Sequence, residues 1–574
     1  MRLFECWRGT FYGVAIGLAL LQPGVRIAEA QSTQPPPTHP PPVQPPATQP
    51  PPVGTPPLGP PNPQPPPAPQ ESDVVPPKGP KAVPGVAQPR PRTTADLPML
   101  PTDPDARREW LRGRLDELFG AAWLAKSKVS VLVVESDTGK PLYARQDKAL
   151  LNAASNVKIV TAAAALSLLG PEYRWKTTLS APGPAAGPPL PAGGELKADL
   201  YLRGFGDPTL VTQDLAAMVS DLASLGMRKV QGGIVVDETF FDRAHVGPAY
   251  DQKNESYPSR APSSGASLNG NVVAVTVVPG SATGAAARVV VEPSSAYFAV
   301  VGRVVTAADG PANLTIETQD DGGGRTRITL GGRVRLGTEP RTVYRRVVDP
   351  PLYLGNTLKQ LLERRGITVA KPVRLGPSPA QGLRVLSAHE SPPMGIAVHD
   401  LNKRSNNFAA EQVVRTLGAE IVGRPGTWEK GIEAVSRFLA TAGIKRGNYQ
   451  MTNGAGLYDS NRFSAEQIVA VLRAANRDFR ISAEFLSSLA VAGTDGTIAH
   501  RMGSTLAERY VRAKTGTLAT ASCLSGFAGS PGRIPLVFSI LMNDIANAWE
   551  ARRTQDRVAE LLVAYLEADS PAKP

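Results

Sequence analysis

The chain has 574 residues, 42% of them apolar and 20% charged, with a formal net charge of +12. Residues 31–90 hold 25 of the 57 prolines, an imbalance that excludes one uniform globule, while the remainder has the composition of an ordinary soluble protein. The basic balance suits an anionic wall polymer, a membrane surface or nucleic acid, and equally a dispersed solubilising charge.

The first 30 residues read as a cleaved secretory signal. Arg2 and Arg8 give a positive start, Phe11 to Leu21 an apolar run, Pro23 and Gly24 a break, and Ala28-Glu29-Ala30 a small-residue cleavage site. The run is too short for a hydrocarbon core that needs about 20 residues, and no later stretch is long and apolar enough to span one. The expected location is therefore the periplasm or cell envelope, with no integral span after cleavage. Cleavage also removes Cys6 and leaves Cys523 alone, so no internal disulfide forms and stability rests on core packing. Cys523 reads as a small buried hydrophobe. Residues 31–103, rich in Pro, Gln, Thr and Val, form an extended polyproline spacer, either a stalk or a leader without a role.

Beyond the spacer the periodicity predicts a helix from Arg107 to Ala122, with Trp110, Leu111, Leu115, Leu118 and Phe119 on one side. A hairpin follows, Val129–Val134 and Pro141–Arg145 around a Glu135–Lys140 turn. Asn156 to Leu169 is an Ala- and Leu-rich helix stopped by Gly170-Pro171. From about 176 to 390 short β-rich runs (Asp199–Arg203, Gly233–Asp237, Val272–Val278, Ala287–Val291, Arg325–Leu330) alternate with helical patches at Asp214–Leu225 and Leu354–Arg365. Residues 176–265 and 346–390 read as α+β and residues 266–345 as β-rich. Helices return at Asn407–Leu417, Lys430–Ala442 and Ala465–Ala475. Apolar strands at Ser522–Ala528 and Pro535–Met542 precede a closing helix, Ala548–Ala568. No repeat of fixed period occurs.

The five histidines are His39, His245, His389, His399 and His500. None pairs at metal-ligand spacing, and neither H-E-x-x-H nor G-x-S-x-G occurs, which disfavours a zinc hydrolase and an α/β-hydrolase triad. Gly322-Gly323-Gly324 lacks the Lys-Ser/Thr of a phosphate loop. No basic run interleaved with aromatics suggests a nucleic-acid partner. No metal or other cofactor is expected.

Ser155-Asn156-Val157-Lys158 opens the Ala-rich helix. A serine and a lysine three apart share one helix face, free N–H groups at a helix start stabilise negative charge, and a lysine can replace histidine as a base. Taken alone, the same residues fit a plain N-cap with an exposed lysine. Two further motifs shift that balance. Ser405-Asn406-Asn407 precedes an amphipathic helix, with its first and third side chains able to point one way, and Lys514-Thr515-Gly516-Thr517 precedes an apolar strand run. They add a second hydroxyl, an amide for a substrate carbonyl, and a cation with hydroxyls for a carboxylate. Gly516 lets a substrate backbone lie close to the strand.

The order S-x-x-K, S-x-N, K-T-G is that of serine acyltransferases that react with penicillin. The chain resembles the D-alanyl-D-alanine carboxypeptidase/endopeptidases of the penicillin-binding protein 4 type, the class C low-molecular-mass group. Similar blocks lie at Ala154–Thr161, Leu169–Trp175, Gly206–Leu210, Gly232–Asp237, Asn402–Glu411, Ala492–Thr497 and Arg512–Leu518, so the resemblance covers roughly 105–568. It implies an α+β fold, a penicillin-binding transpeptidase/β-lactamase-like domain with an antiparallel five-stranded sheet flanked by helices. Residues 105–175 and 391–568 would form that domain, split by an inserted region at 176–390.

By the same resemblance Ser155 is the acylated nucleophile and Lys158 its base. Ser405 relays a proton to the leaving D-alanine amine, and Asn407 orients the substrate amide. Lys514, Thr515 and Thr517 bind the terminal carboxylate, and the backbone N–H groups of Ser155 and Thr517 form the oxyanion hole. Asp251 would meet the free amine of the peptide's diamino acid. The partners implied are peptidoglycan stem peptides and cross-links, with β-lactams as covalent inhibitors. Two departures bear on deacylation and substrate preference: Asn406 stands where the family has Asp, and Asn453-Gly454-Ala455-Gly456-Leu457-Tyr458 replaces D-G-S-G-L-S. A wall-binding or β-lactam-sensing protein with little turnover, or a β-lactamase, are the alternative functions.

Overall fold

The computed structural model describes residues 100–183, 193–253 and 255–568. The expected leader and nearly all of the expected spacer lie outside the described residues. The first helix runs Pro104–Phe119, three residues earlier than the periodicity suggests. Asp103 accepts from the Ala106 amide at 2.8 Å and Pro104 opens the helix, a start signal that apolar spacing does not carry.

Six antiparallel strands form one sheet, in the order Ala490–Val491, Val511–Leu518, Ala521–Ala528, Leu536–Asn543, Lys128–Glu135 and Pro141–Arg145. Five are of ordinary length, as expected, and the two-residue Ala490–Val491 adds a short sixth at the edge. The alternation along each strand explains why both faces are covered. Leu132, Val134, Cys523, Phe527, Val537 and Leu541 meet the helices Val157–Leu169, Asn407–Leu417, Trp428–Thr441 and Ala465–Arg477. Val131, Val133, Leu524, Phe538, Ile540 and Met542 meet the helices Pro104–Phe119 and Ala548–Glu567. The sheet thus joins the beginning and the end of the described chain, and Cys523 is a buried core residue.

Residues between 176 and 390 build separate sheets around their own core. A five-stranded sheet runs Arg374–Leu375, Ile234–Asp237, Leu200–Gly204, Lys176–Pro182, Leu383–Glu390. Its first three strands are mutually parallel and the other pairings antiparallel. The helices Thr212–Ser224 and Pro350–Arg364 supply Leu215, Met218, Leu354 and Leu358 to that core. Val272–Val278, Arg288–Glu292 and Arg341–Arg346 make a three-stranded β sheet, and Thr326–Arg335 is the centre of another. The strand Leu383–Glu390 mixes Leu383, Val385 and Leu386 with Arg384, Ser387 and His389, and its alternation breaks at a register shift between Val385 and Ser387; pairing with Lys176–Pro182 fixes it. Among the described residues no helix is long and apolar enough to cross a membrane.

Candidate active site

Ser155 does not sit in the α-helix. It occupies a tight 3-10 turn, Ala154–Asn156, directly before the helix Val157–Leu169. Asn152 shapes the turn by accepting from the Ala154 amide at 2.9 Å, and Ala154 takes a left-handed conformation, φ +46°. Residues Val157 to Leu166 are all buried, so Lys158 points into the molecule rather than into water. Its Nζ lies 3.0 Å from Ser155 Oγ, 2.6 Å from Asn407 Oδ1 and 2.7 Å from the Ala455 carbonyl oxygen. The plain N-cap with an exposed lysine does not describe this site.

The geometry has a chemical consequence. Asn407 Oδ1 and the Ala455 carbonyl can only accept hydrogen bonds, while the Ser155 hydroxyl can also donate. An uncharged amine that places its two hydrogens on those two oxygens leaves its lone pair toward the serine. Asn407 is held in that orientation because its Nδ2 donates to the Ser259 carbonyl at 2.9 Å.

A second lysine stands on the strand Val511–Leu518. Lys514 is fully buried, and its Nζ donates to Ser405 Oγ at 2.9 Å and to the Thr515 carbonyl at 2.8 Å. Ser405 has φ +57°, which turns it toward this strand immediately before the helix Asn407–Leu417. Ser405 and Asn407, two residues apart, therefore serve different lysines. Thr515 Oγ1 pairs with Thr497 Oγ1 at 2.8 Å, and Thr517 is half-buried on the same strand. A Cβ at Gly516 would come within 3.0 Å of the Ala153 carbonyl and 3.1 Å of Ala154 Cβ. That close approach packs the strand directly against the Ser155 turn. Seven of the residues singled out in sequence (Ser155, Lys158, Ser405, Asn407, Lys514, Thr515, Gly516) thus converge through this pair of lysines and this contact.

Asp251 is not among them. Its side chain is exposed on the short turn Tyr250–Gln252 and makes no hydrogen bond or ion pair within the described residues. The neighbouring Tyr250 reaches inward instead, donating to Glu411 Oε1 at 3.0 Å. Burial and the adjacent Glu411 carboxylate push the Tyr250 phenol well above its ordinary range.

The helix Asn407–Leu417 departs from its amphipathic reading: every one of its residues is buried. Its polar side chains meet polar groups of the protein in place of water. Gln412 Nε2 donates to the Gly206 and Ser264 carbonyls at 3.1 and 3.0 Å, and Arg415 pairs with Asp242 at 2.5 Å. Arg415 is wedged between Phe241 and Trp428, and burial pulls its guanidinium down to about 10 even though Asp242 works the other way.

The departures from the family pattern are accommodated. Asn406 caps its helix by accepting from the Ala409 amide at 3.1 Å, and its Nδ2 donates to Asp400 at 2.6 Å; an aspartate there would set two carboxylates together. Asn453 is fully buried and uses both ends of its amide. It donates to the Pro248 carbonyl and Ser460 Oγ, and accepts from the Gly456 amide and Asn461 Nδ2. Sequence reading gave no role to Ser259 or the Ala455 carbonyl, and held Glu411 and Thr497 only as members of similar blocks. Glu411 and Thr497 left their trace as the last residues of the Asn402–Glu411 and Ala492–Thr497 blocks. Among the described residues no three His, Cys, Asp or Glu side chains are grouped to hold a metal ion.

The D-Ala-D-Ala carboxypeptidase 3 (S13) family profile matches residues 111–565. The D-alanyl-D-alanine carboxypeptidase of Actinomadura sp. (strain R39) is 34% identical over 490 residues, 83% of this chain and 88% of that protein. D-alanyl-D-alanine carboxypeptidase DacB of Haemophilus influenzae is 26% identical over 381 residues, 65% of this chain and 76% of that one. The crystal structure of penicillin binding protein 4 (dacB) from Haemophilus influenzae superposes with a TM-score of 0.67 at 22% identity, covering 80% of this chain and 99% of that chain.

Proposed function

This chain belongs to the D-Ala-D-Ala carboxypeptidase 3 (S13) family and is a serine D-Ala-D-Ala carboxypeptidase, and from that premise we propose how its residues divide the work. Lys158 Nζ takes the proton of Ser155 Oγ as that oxygen attacks the carbonyl between the last two D-alanines. The backbone N–H groups of Ser155 and Thr517 hold the oxyanion. The proton taken by Lys158 is returned through Ser405, backed by Lys514, to the departing D-alanine amine, and the C–N bond breaks to leave an ester on Ser155 and a neutral Lys158 amine. Water then attacks the ester, giving its proton to Lys158, which passes it to Ser155 Oγ as the ester bond breaks and the shortened peptide leaves as the acid. Lys514, Thr515 and Thr517 face the terminal carboxylate, and Asn407 offers its amide to the substrate backbone.

The observation that carries this reading is the 3.0 Å approach of a buried Lys158 amine to Ser155 Oγ, with two pure acceptors on its other sides. Residues 105–175 and 391–568 act as the catalytic domain and 176–390 as an insertion. The physiological substrates are peptidoglycan stem peptides, with cross-links as a second substrate and β-lactams as covalent inhibitors. The cell envelope is where such peptides are met, in keeping with the signal-like start of the chain.

The test is acylation of the full-length protein by a fluorescent penicillin, run beside release of D-alanine from a peptide ending in D-Ala-D-Ala. Ser155→Ala abolishes both; a variant that labels as strongly as the parent overturns the nucleophile assignment. Stoichiometric labelling without D-alanine release points to a sensor, and rapid repeated penicillin hydrolysis to a β-lactamase. Muropeptide products from cross-linked wall decide the endopeptidase question.

A further inference from the structure

One helix controls two of the oxygens that Lys158 Nζ meets. Asn407 supplies its own Oδ1, and one turn later Glu411 grips the segment that presents the Ala455 carbonyl. Glu411 is almost wholly buried, and all its contacts are donors. Its Oε1 accepts from the Ala455 amide at 2.9 Å and from Tyr250 OH at 3.0 Å. Its Oε2 accepts from Trp428 Nε1 at 2.7 Å and from the Gly454 amide at 3.1 Å. Three of these four donors cannot reverse role, and they cover both oxygens. Ala455 is therefore pinned at its N–H by Glu411 while its C=O receives the Lys158 amine at 2.7 Å. Gly454 lies so close to the same helix that an added Cβ would come within 2.7 Å of the Ala410 carbonyl. Ala455, which stands where the family pattern has serine, thus takes part through its backbone.

We propose that Glu411 is a positioning residue for the acylation step: it fixes the Gly454–Ala455 backbone so that the Ala455 carbonyl holds the Lys158 amine against Ser155. Tyr250 ties residues outside the catalytic sheet to the same carboxylate. Glu411 touches no reacting atom; it acts through a peptide unit. The proposal rests on Lys158 being the base, as set out above.

Glu411→Gln tests it, because the shape is kept. Whichever way the new amide turns, its NH2 group faces an obligatory N–H donor, either Ala455 or Trp428 and Gly454, and the Ala455 peptide shifts. The rate constant for acylation by fluorescent penicillin is expected to fall about tenfold, as the loss of about one buried hydrogen bond dictates. KM for a soluble D-Ala-D-Ala peptide is expected to stay within about twofold, since Glu411 meets no substrate. Tyr250→Phe removes one donor without adding a clash. It is expected to slow acylation by a smaller factor at unchanged KM, and it serves if the glutamine variant does not fold. Folded variants that acylate at the parental rate, or whose loss appears entirely in KM, overturn the proposal. Ser155→Ala in parallel separates the two levels. If it still labels, the assignment of the nucleophile has failed; if it is inert while Glu411→Gln is unimpaired, only the role of Glu411 has.

Discussion

Replacing Asn407 by aspartate probes the base directly. The wild-type Oδ1 stands 2.6 Å from Lys158 Nζ, and Nδ2 donates to the Ser259 carbonyl at 2.9 Å. A carboxylate in that place sets a full negative charge against the amine. At an effective dielectric constant of about 20 the attraction at this separation is about 6 kcal/mol, an upper figure, since burying the new carboxylate and facing it toward the Ser259 carbonyl both cost free energy. Opposite charges at such range favour the charged form of a neighbour by about 1–3 pKa units. An amine serves as a base only when uncharged, so acylation at neutral pH is expected to fall about 10- to 1000-fold, with the deficit shrinking as pH rises. Asn407→Ala removes the acceptor without adding charge. Its loss of about 1.5–3 kcal/mol, or about 10- to 150-fold, should not recover in alkali. The assay is stopped-flow acylation by a fluorescent penicillin from about pH 6 to about pH 10, a range set against the ordinary lysine value. A ratio of Asn407→Asp to parent that is constant across this range would refute the assignment of Lys158 as the proton acceptor.

Three further outcomes test the framework around the site. Gly456 has φ +76°, and an added Cβ would lie 2.0 Å from the Ala154 carbonyl beside the nucleophile turn; Gly456→Ala is expected to cost about 2–4 kcal/mol in urea denaturation and to slow acylation in whatever fraction remains folded. Arg415→Met strips Asp242 of its partner and should destabilise by about 3 kcal/mol, the low end for a buried pair because Asp242 is one-third exposed; Asp242→Asn in the same chain should return part of that loss. Burial alone would raise the Asp237 carboxyl, but donors from Thr239 and Ser378 prevail and hold it below its usual value. A carboxyl depressed in the folded state adds stability above its unfolded pKa and loses it as pH falls through the folded one. Asp237→Asn is therefore expected to cost about 1.5–3 kcal/mol at neutral pH, with the gap to the parent closing as pH drops below about 4. A gap that persists undiminished in acid would show that ionisation is not its source.

Much of this was legible in the residues themselves. Ser155 and Lys158, Ser405 and Asn407, and Lys514 to Gly516 are reactive or conformationally special residue types at short, fixed spacings. Their order along the chain carries the resemblance that the family match bears out. The apolar runs Val129–Val134 and Ser522–Ala528 likewise mark strands, because short continuous stretches of apolar residues bounded by turns suit buried strands. Tertiary structure decided the rest. That Ser405 serves Lys514 while Asn407 serves Lys158 depends on a left-handed residue at the helix start. The resemblance points to Asp251 for the diamino acid's amine; in the folded chain Asp251 is exposed and its neighbour Tyr250 turns inward. The Asn407–Leu417 helix has a polar stripe that water or protein could have faced, since periodicity marks the polar side but not its partner. The Ala455 and Ser259 carbonyls could not have been found from sequence at all, because every residue carries the same backbone acceptor, and only the folded chain selects which of them a buried lysine or amide will meet.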